Sequence, residues 1–218
     1  EAALAVPDDM VTEWKQLVAE ANALFGVRHY RKYEFLITLS DHLEDFGLEH
    51  HESSDNRMSE RALVDDDKRA YWASLLPHEY VHSWNGKYRR PAGLATGDYQ
   101  KPMKGELLWV YEGLTQYYGY VLTARAGMRT PQQTRDLIAR VAASFEDSPG
   151  RQWRPLLDTT NQPTMSQRAP VSWTSWQRGE DYYTEGLLIW LDADTKIREL
   201  SGGKKSLDDV MRALWQRY

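Results

Sequence analysis

The chain of 218 residues contains no cysteine. Disulfides and thiolate ligands are therefore excluded, and any metal ion would have to be held by His, Asp and Glu. No apolar run reaches the length of a membrane span, and the densest run, "GLLIWLDAD", is interrupted by acids. The first residues, "EAALAVPDDM", lack the charged region and long apolar core of a signal peptide. These absences exclude several classes of protein but leave the compartment open.

The chain also has no excess of basic residues. The formal net charge is −5, from 27 Lys and Arg against 32 Asp and Glu, and both signs are interspersed. A nucleic-acid partner is therefore not predicted. Hydrophobic residues make up 41% of the chain, including nine Trp and thirteen Tyr. This content is enough to form the core of one large domain.

Patterns typical of helices cover most of the chain. "PDDMVTEWKQLVAEANALFG" begins with Pro and two acids and ends with Gly, as helices do, whereas "KYEFLITLSDH" favours a strand at about residues 33–40. The polar stretch "EDFGLEHHESSDNRMSE" predicts a loop, and the segment from Pro149 to Arg178 is predicted to be irregular. Further helices are predicted at about residues 66–84, 106–127, 131–146, 180–200 and 207–218. The predicted class is α+β, predominantly helical.

Residues 75–87, "LLPHEYVHSWNGK", place two histidines four residues apart with a glutamate directly after the first. On a helix this spacing brings His78 and His82 to one face, where both imidazoles could bind one Zn²⁺ at about 2.0–2.1 Å. Glu79 would lie beside the metal, where it could take a proton from an activated water and pass it to a leaving amine. The alternative is a helical turn whose polar groups are solvated or satisfied in the core. An HExxH pattern arises by accident in roughly 1% of such chains, so a second observation is needed.

That observation is Glu112, in the middle of the apolar stretch "ELLWVYEGLTQYYG". A lone buried carboxylate is costly, so it requires a partner such as a metal ion. Two histidines, one glutamate and an open fourth position form the ligand set of catalytic rather than structural zinc. The alternatives are an ion pair of Glu112 with Arg or Lys, and Glu106 as the ligand instead. Because Glu106 stands at the helix start, where acids stabilise the dipole, Glu112 is preferred.

A hydrolytic zinc site also needs a donor for the oxyanion that develops on the substrate. The stretch "EDYYTEG" offers Tyr182 and Tyr183 at a predicted helix start. Spacing alone does not choose between them, and an aromatic pair in the core is the alternative interpretation.

"HEYVHSWN", followed by "LLWVYEGLTQYYG", resembles the glycyl aminopeptidase family of gluzincins, from about Phe46 to the end of the chain. More remotely, the chain is similar to the aminopeptidase N family, which shares the HExxHxW core and a Glu-Gly at the third ligand. The resemblance implies a thermolysin-like zincin catalytic domain with a short β edge region before the HExxH helix. It also implies that His78, His82 and Glu112 bind one Zn²⁺ and that Glu79 is the general base.

The resemblance extends to residues around the metal. Relatives carry the oxyanion-stabilising tyrosine in a Tyr-x-x-Gly context, which "YTEG" reproduces with Tyr183. "FGLEHHESS" corresponds to a Gly-rich segment that ends in Glu on the edge strand, which maps onto Gly47 and Glu49. A carboxylate there would pair with the free amino group of a substrate. His50 and His51 are then loop or edge-strand residues rather than ligands.

The chain departs from the family pattern in two respects. His82 and Glu112 are thirty residues apart, which is longer than in most gluzincins. Members of the family also carry a β-rich N-terminal part and a C-terminal PDZ domain, for which 218 residues leave no room. We therefore expect residues 1–218 to form a single metallopeptidase catalytic domain.

The function predicted from these residues is a zinc-dependent aminopeptidase acting on peptides, and the resemblance implies small N-terminal residues such as Gly or Ala. One alternative is an endopeptidase with the same metal chemistry, and another is a catalytically silent zincin-like binding module. The sequence does not indicate an oligomeric state.

Overall fold

The computed structural model describes residues 4–161, 176 and 178–216. Its strands are β1 (Glu34–Leu39), β2 (Phe46–Glu49) and β3 (Ser53–Met58). Its helices are α1 (Asp8–Phe25), α2 (Asp66–Trp72), α3 (Leu75–His82), α4 (Leu114–Arg125), α5 (Pro131–Glu146), α6 (Leu156–Thr159), α7 (Asp181–Leu200) and α8 (Leu207–Gln216). Within this part of the chain, helices dominate and no helix is both long and apolar enough to cross a membrane. The predicted α+β, predominantly helical class is confirmed.

The termini of two helices follow from local sequence. α1 ends at Gly26, whose φ of 68° is left-handed and suits glycine. α5 begins after Thr130, whose side chain accepts a hydrogen bond from Gln133 N while Gln133 Oε1 accepts one from Thr130 N. Pro131 occupies the first turn, where its missing N–H costs nothing. Both helices were predicted from these signals. Of the predicted irregular segment from Pro149 to Arg178, residues 162–175 and 177 lie outside the described residues.

The prediction of a polar loop at about residues 44–60 is wrong, because two strands form there. The three strands have the order β1-β3-β2, with β1 parallel and β2 antiparallel to the central β3. The inward positions of β3 include Ser54 and Asn56, both buried. Asn56 Nδ2 donates to Ser54 Oγ and to the carbonyls of Ser54 and Leu36. Because the Asn56 amide donates to Ser54 and to the Leu36 carbonyl, β3 is buried without the apolar alternation that identifies a strand in sequence. Asn56 Oδ1 has no hydrogen-bond partner among the described residues.

The single helix predicted at residues 66–84 is also wrong. α2 ends at Trp72 and α3 begins at Leu75, so the helix is interrupted at Ala73 and Ser74. Pro77 has no N–H and cannot donate to the carbonyl four residues earlier, that of Ala73. Thr123 Oγ1 lies 3.5 Å from this carbonyl, but its one hydrogen goes to Gly119 O at 2.6 Å, so it does not replace the missing donor.

The helix predicted at residues 106–127 is not uniformly α-helical. A 3₁₀ turn spans Gly105–Leu107, a π-helical segment spans Trp109–Gly113, and regular α4 follows. Single π-helical turns within helices are often found at functional sites. Glu112 lies in this π-helical segment.

The α3 helix lies at the centre of the core. It packs against α4 on one side and against β2 and β3 on the other. Trp84, just beyond its end, is fully buried and stacks on Phe25 of α1 with ring centroids 4.6 Å apart. The indole Nε1 of Trp84 also donates to Val27 O at 2.8 Å. These contacts hold the C-terminal end of α3 in a fixed position.

Candidate active site

Three side chains from α3 and the π-helical segment converge on one point. His82 Nε2 lies 3.1 Å from His78 Nε2 and 3.1 Å from Glu112 Oε2, and His78 Nε2 lies 3.3 Å from Glu112 Oε2. Ligand atoms at 2.0–2.1 Å from a tetrahedral zinc ion stand roughly 3.3 Å apart. The triangle of donor atoms therefore has the size that a tetrahedral zinc ion requires.

The surroundings of His82 also suit a metal ligand. Its Nδ1 donates to the carbonyl of Asn85 at 3.1 Å, and a carbonyl oxygen can only accept. This contact fixes the ring so that Nε2 faces His78 and Glu112. His78 differs, since its buried Nδ1 has no hydrogen-bond partner among the described residues. Two imidazole nitrogens and one carboxylate oxygen are a donor set that fits zinc.

The charges at this point are strongly coupled. Burial acts to raise the pKa of Glu112, but His82 and His78 outweigh it and lower that pKa to about 2. Burial acts to lower the pKa of His82, whereas Glu112 and Glu49 raise it above its usual value. A divalent cation would compete with the proton on His82, because both need the same Nε2 lone pair.

Glu79 lies between the candidate metal-ligand cluster, formed by His78, His82 and Glu112, and the edge strand β2. It is only 5% exposed, and burial raises its pKa to about 8, against an opposing effect of His78. A Cβ atom at Gly47 would collide with Glu79 Oε1. A larger residue there would therefore force this carboxylate to shift from its position against the strand.

Tyr182 and Tyr183 differ clearly in position. Tyr183 lines a cleft together with His78 and Glu79, and its ring centroid lies 5.9 Å from that of His78. Burial and, next, Glu112 raise the pKa of Tyr183 well above its usual value, so the hydroxyl keeps its proton. Tyr182 is 2% exposed and does not line the cleft.

The position of Tyr183 depends on a close crossing of two backbones. A Cβ atom at Gly113 would lie 2.8 Å from Gly186 Cα and 2.9 Å from Tyr182 O, and a Cβ at Gly186 would lie 2.8 Å from Gly113 Cα. The glycine after the predicted third ligand thus contacts the glycine of the Tyr-x-x-Gly stretch. Any larger residue at either position would push α7 away from the π-helical segment.

Glu49, at the end of β2, is already engaged within the protein. Tyr111 Oη donates to its Oε1 at 2.5 Å, and Lys87 Nζ lies 3.3 Å from the same oxygen. Burial acts to raise the pKa of Glu49, but His82, Tyr111 and Lys87 together lower it. Sequence reasoning missed both Tyr111 and Lys87, because their contact with Glu49 depends on tertiary structure.

The remaining candidates lie elsewhere. Glu106 is exposed in the 3₁₀ turn, and His50 and His51 are exposed between β2 and β3. Among the described residues, the group of His, Asp and Glu side chains that could hold a metal consists of His78, His82 and Glu112.

A cleft of about 1000 Å³ opens beside this group. Its lining includes Gly47 and Phe46 of the edge strand, His78 and Glu79 of α3, and Tyr183 of α7. α2 and α5 contribute the far wall. A ligand in the cleft could therefore contact His78, the buried carboxylate of Glu79 and Tyr183 together.

Comparisons with known proteins identify the family of the chain. A solved structure of an aminopeptidase N family protein from Idiomarina loihiensis matches 97% of this chain with a TM-score of 0.82 and 26% sequence identity. The chain spans 37% of the length of that protein. No curated protein shows significant sequence similarity. The family model described as M61 glycyl aminopeptidase matches residues 71–189, more than half of the chain, and the name of the family indicates a peptidase. The chain belongs to the M61 glycyl aminopeptidase family.

Proposed function

We propose that residues 1–218 form one thermolysin-like catalytic domain of a zinc-dependent aminopeptidase that removes N-terminal residues from peptides. The observation that carries this proposal is the convergence of His78, His82 and Glu112 at 3.1–3.3 Å, at the edge of a cleft. The buried carboxylate of Glu79 beside this point supports a hydrolytic rather than a structural metal site.

The chemistry that a bound zinc ion supplies is Lewis-acid activation of water and polarisation of the scissile carbonyl. Glu79 takes the proton of the attacking water and passes it to the leaving amine. Its pKa of about 8, raised by burial, suits a group that both accepts and releases a proton, and a nearby cation would lower this pKa. The Tyr183 hydroxyl, which stays protonated, donates a hydrogen bond to the oxyanion of the tetrahedral intermediate.

Replacing Tyr183 tests the oxyanion role. Tyr183→Phe is expected to lower kcat about 100- to 1000-fold, because it removes one donor to the oxyanion and leaves the ring in place. KM for a peptide substrate should change much less, and zinc content should stay the same. The matched control is Tyr182→Phe, which alters the neighbouring ring outside the cleft. Wild-type kcat in Tyr183→Phe, or an equal loss in Tyr182→Phe, would contradict the assignment.

The aminopeptidase assignment depends on a carboxylate for the free amino group of the substrate. We propose Glu49 for this role, with Gly47 on the same edge strand beside the substrate backbone. For the amine to bind, it must share Glu49 with Lys87 or displace it. A preference for small N-terminal residues, Gly or Ala, is proposed from family membership.

The contact between Glu49 and Lys87 also favours a second candidate function. A carboxylate that already neutralises an internal ammonium group needs no substrate amine, and an endopeptidase would use the same zinc chemistry. The two functions differ in whether the substrate must have a free N-terminus.

Free and N-acetylated forms of one Gly- or Ala-initiated peptide separate these functions. For an aminopeptidase, kcat/KM should be about 10- to 100-fold lower for the acetylated peptide than for the free peptide, because acetylation removes a hydrogen bond between charged groups. Glu49→Gln should remove most of this difference by slowing cleavage of the free peptide alone. Equal cleavage of both peptides by the wild-type chain would favour the endopeptidase.

A further inference from the structure

We infer that Asn85 is a positioning residue that holds the two ligand-bearing segments in register for zinc. The inference rests on the proposed zinc function and concerns a residue outside the ligand set. Asn85 follows α3 by three positions and is 5% exposed. It contacts both α3 and the π-helical segment, which together carry the three ligands.

The side-chain amide of Asn85 reaches the π-helical segment. Its Nδ2 lies 3.0 Å from Val110 O, 3.1 Å from Tyr111 O and 3.0 Å from Thr115 Oγ1. An amide has two hydrogens, so these three acceptors use its full capacity to donate. Thr115 Oγ1 in turn donates to Tyr111 O at 2.7 Å. The carbonyls directly before Glu112 are therefore held by the side chains of Asn85, just after α3, and Thr115 of α4.

The main chain of Asn85 reaches the other ligand segment. Its carbonyl accepts the hydrogen bond from His82 Nδ1 at 3.1 Å, and its N–H donates to Val81 O at 2.9 Å. One residue thus fixes the ring orientation of His82 and the path of the segment that delivers Glu112. The chain between these two ligands, residues 83–111, does not need to provide that register itself.

A π-helical turn needs this support because it carries one residue more than an α-helical turn. If the segment Trp109–Gly113 relaxed to α-helix, the helical register would shift by one residue. This shift would rotate Glu112 by about 100° relative to α4. The carboxylate would then point away from His78 and His82. By binding the carbonyls of Val110 and Tyr111, the Asn85 amide stabilises the π-helical form.

Asn85→Asp tests the inference because it keeps the shape and the main-chain carbonyl but replaces the donating NH₂ by an acceptor. The zinc dissociation constant, measured by competition with a chelator, is expected to rise about 10- to 100-fold, as it does when an outer-shell partner is lost. The visible absorption of the Co²⁺-substituted protein should change as well, because the ligand geometry changes. Asn85→Ser, which keeps one donor and adds no charge, should give an intermediate zinc affinity and decides the matter if the Asp variant does not fold.

Asn22→Asp is the matched control, since Asn22 Nδ2 also donates to a helix carbonyl, Val18 O, at 2.8 Å, but in α1. It should lower the unfolding temperature of the metal-free protein and leave zinc affinity unchanged. Zinc affinity within threefold of wild type in the folded Asn85 variants, with the same fall in unfolding temperature, would overturn the inference and leave the proposed function intact. Failure of the wild-type chain to bind zinc would overturn both.

Discussion

Glu79→Gln is expected to lower kcat about 100- to 10,000-fold while the zinc content stays at one ion per chain. The amide has the shape of the carboxylate and fits the same space against Gly47, so the fold and the ligand triangle should remain. It cannot accept the proton of the attacking water, and that step is therefore lost. Peptide hydrolysis and metal analysis of the same preparation measure the two effects.

Glu60→Gln controls for the loss of one negative charge, because Glu60 is exposed and lies outside the cleft. It should retain wild-type kcat. Unchanged hydrolysis by Glu79→Gln would eliminate this residue as the base. Loss of zinc together with activity would indicate that Glu79 supports the metal site rather than proton transfer.

Glu112→Gln is expected to weaken zinc binding by more than about 100-fold, beyond the usual effect of an outer-shell change. The substitution removes the one anionic ligand among the three converging side chains, and a neutral amide is a poor ligand for zinc. In the wild-type chain, zinc at 100 times its dissociation constant should stabilise the fold by about 2.7 kcal/mol. Thermal unfolding with and without zinc should show that stabilisation in the wild type and little of it in the variant.

Glu106→Gln is the control for this experiment, since Glu106 was the competing ligand candidate and lies exposed in the 3₁₀ turn. Its zinc-dependent stabilisation should equal that of the wild type. A variant of Glu106 that loses zinc, or one of Glu112 that keeps it, would require a different ligand set.

The three candidate ligands, which the structure brings together, could be proposed from sequence because each rests on a local rule. The spacing of His78 and His82 places them on one helix face, and Glu112 is conspicuous as an acid in an apolar stretch. The same local rules predicted α1 and α5 from their capping residues. Where the sequence and the structure agree, the interactions that decide the outcome lie within a few residues of one another.

The predictions that were wrong depend on contacts distant in sequence. β3 is buried because Asn56 satisfies polar groups of its own strand and of β1, which no alternation of apolar residues reveals. The π-helical segment accepts hydrogen bonds from Asn85, about 25 residues earlier. The contact of Glu49 with Lys87, which sequence reasoning missed, likewise joins segments that are distant in sequence. The break before α3 differs, because its signal, the missing N–H of Pro77, is local.

The contact between Gly113 and Gly186 has a consequence for motion. Where helices meet through long side chains, they can slide by changing rotamers, but here backbone meets backbone and leaves no such freedom. We therefore expect Tyr183 on α7 and Glu112 beside Gly113 to move together. Any opening or closing of the cleft would then come from its other wall, formed by α2 and α5, while the proposed oxyanion donor and the proposed third ligand stay at a constant separation.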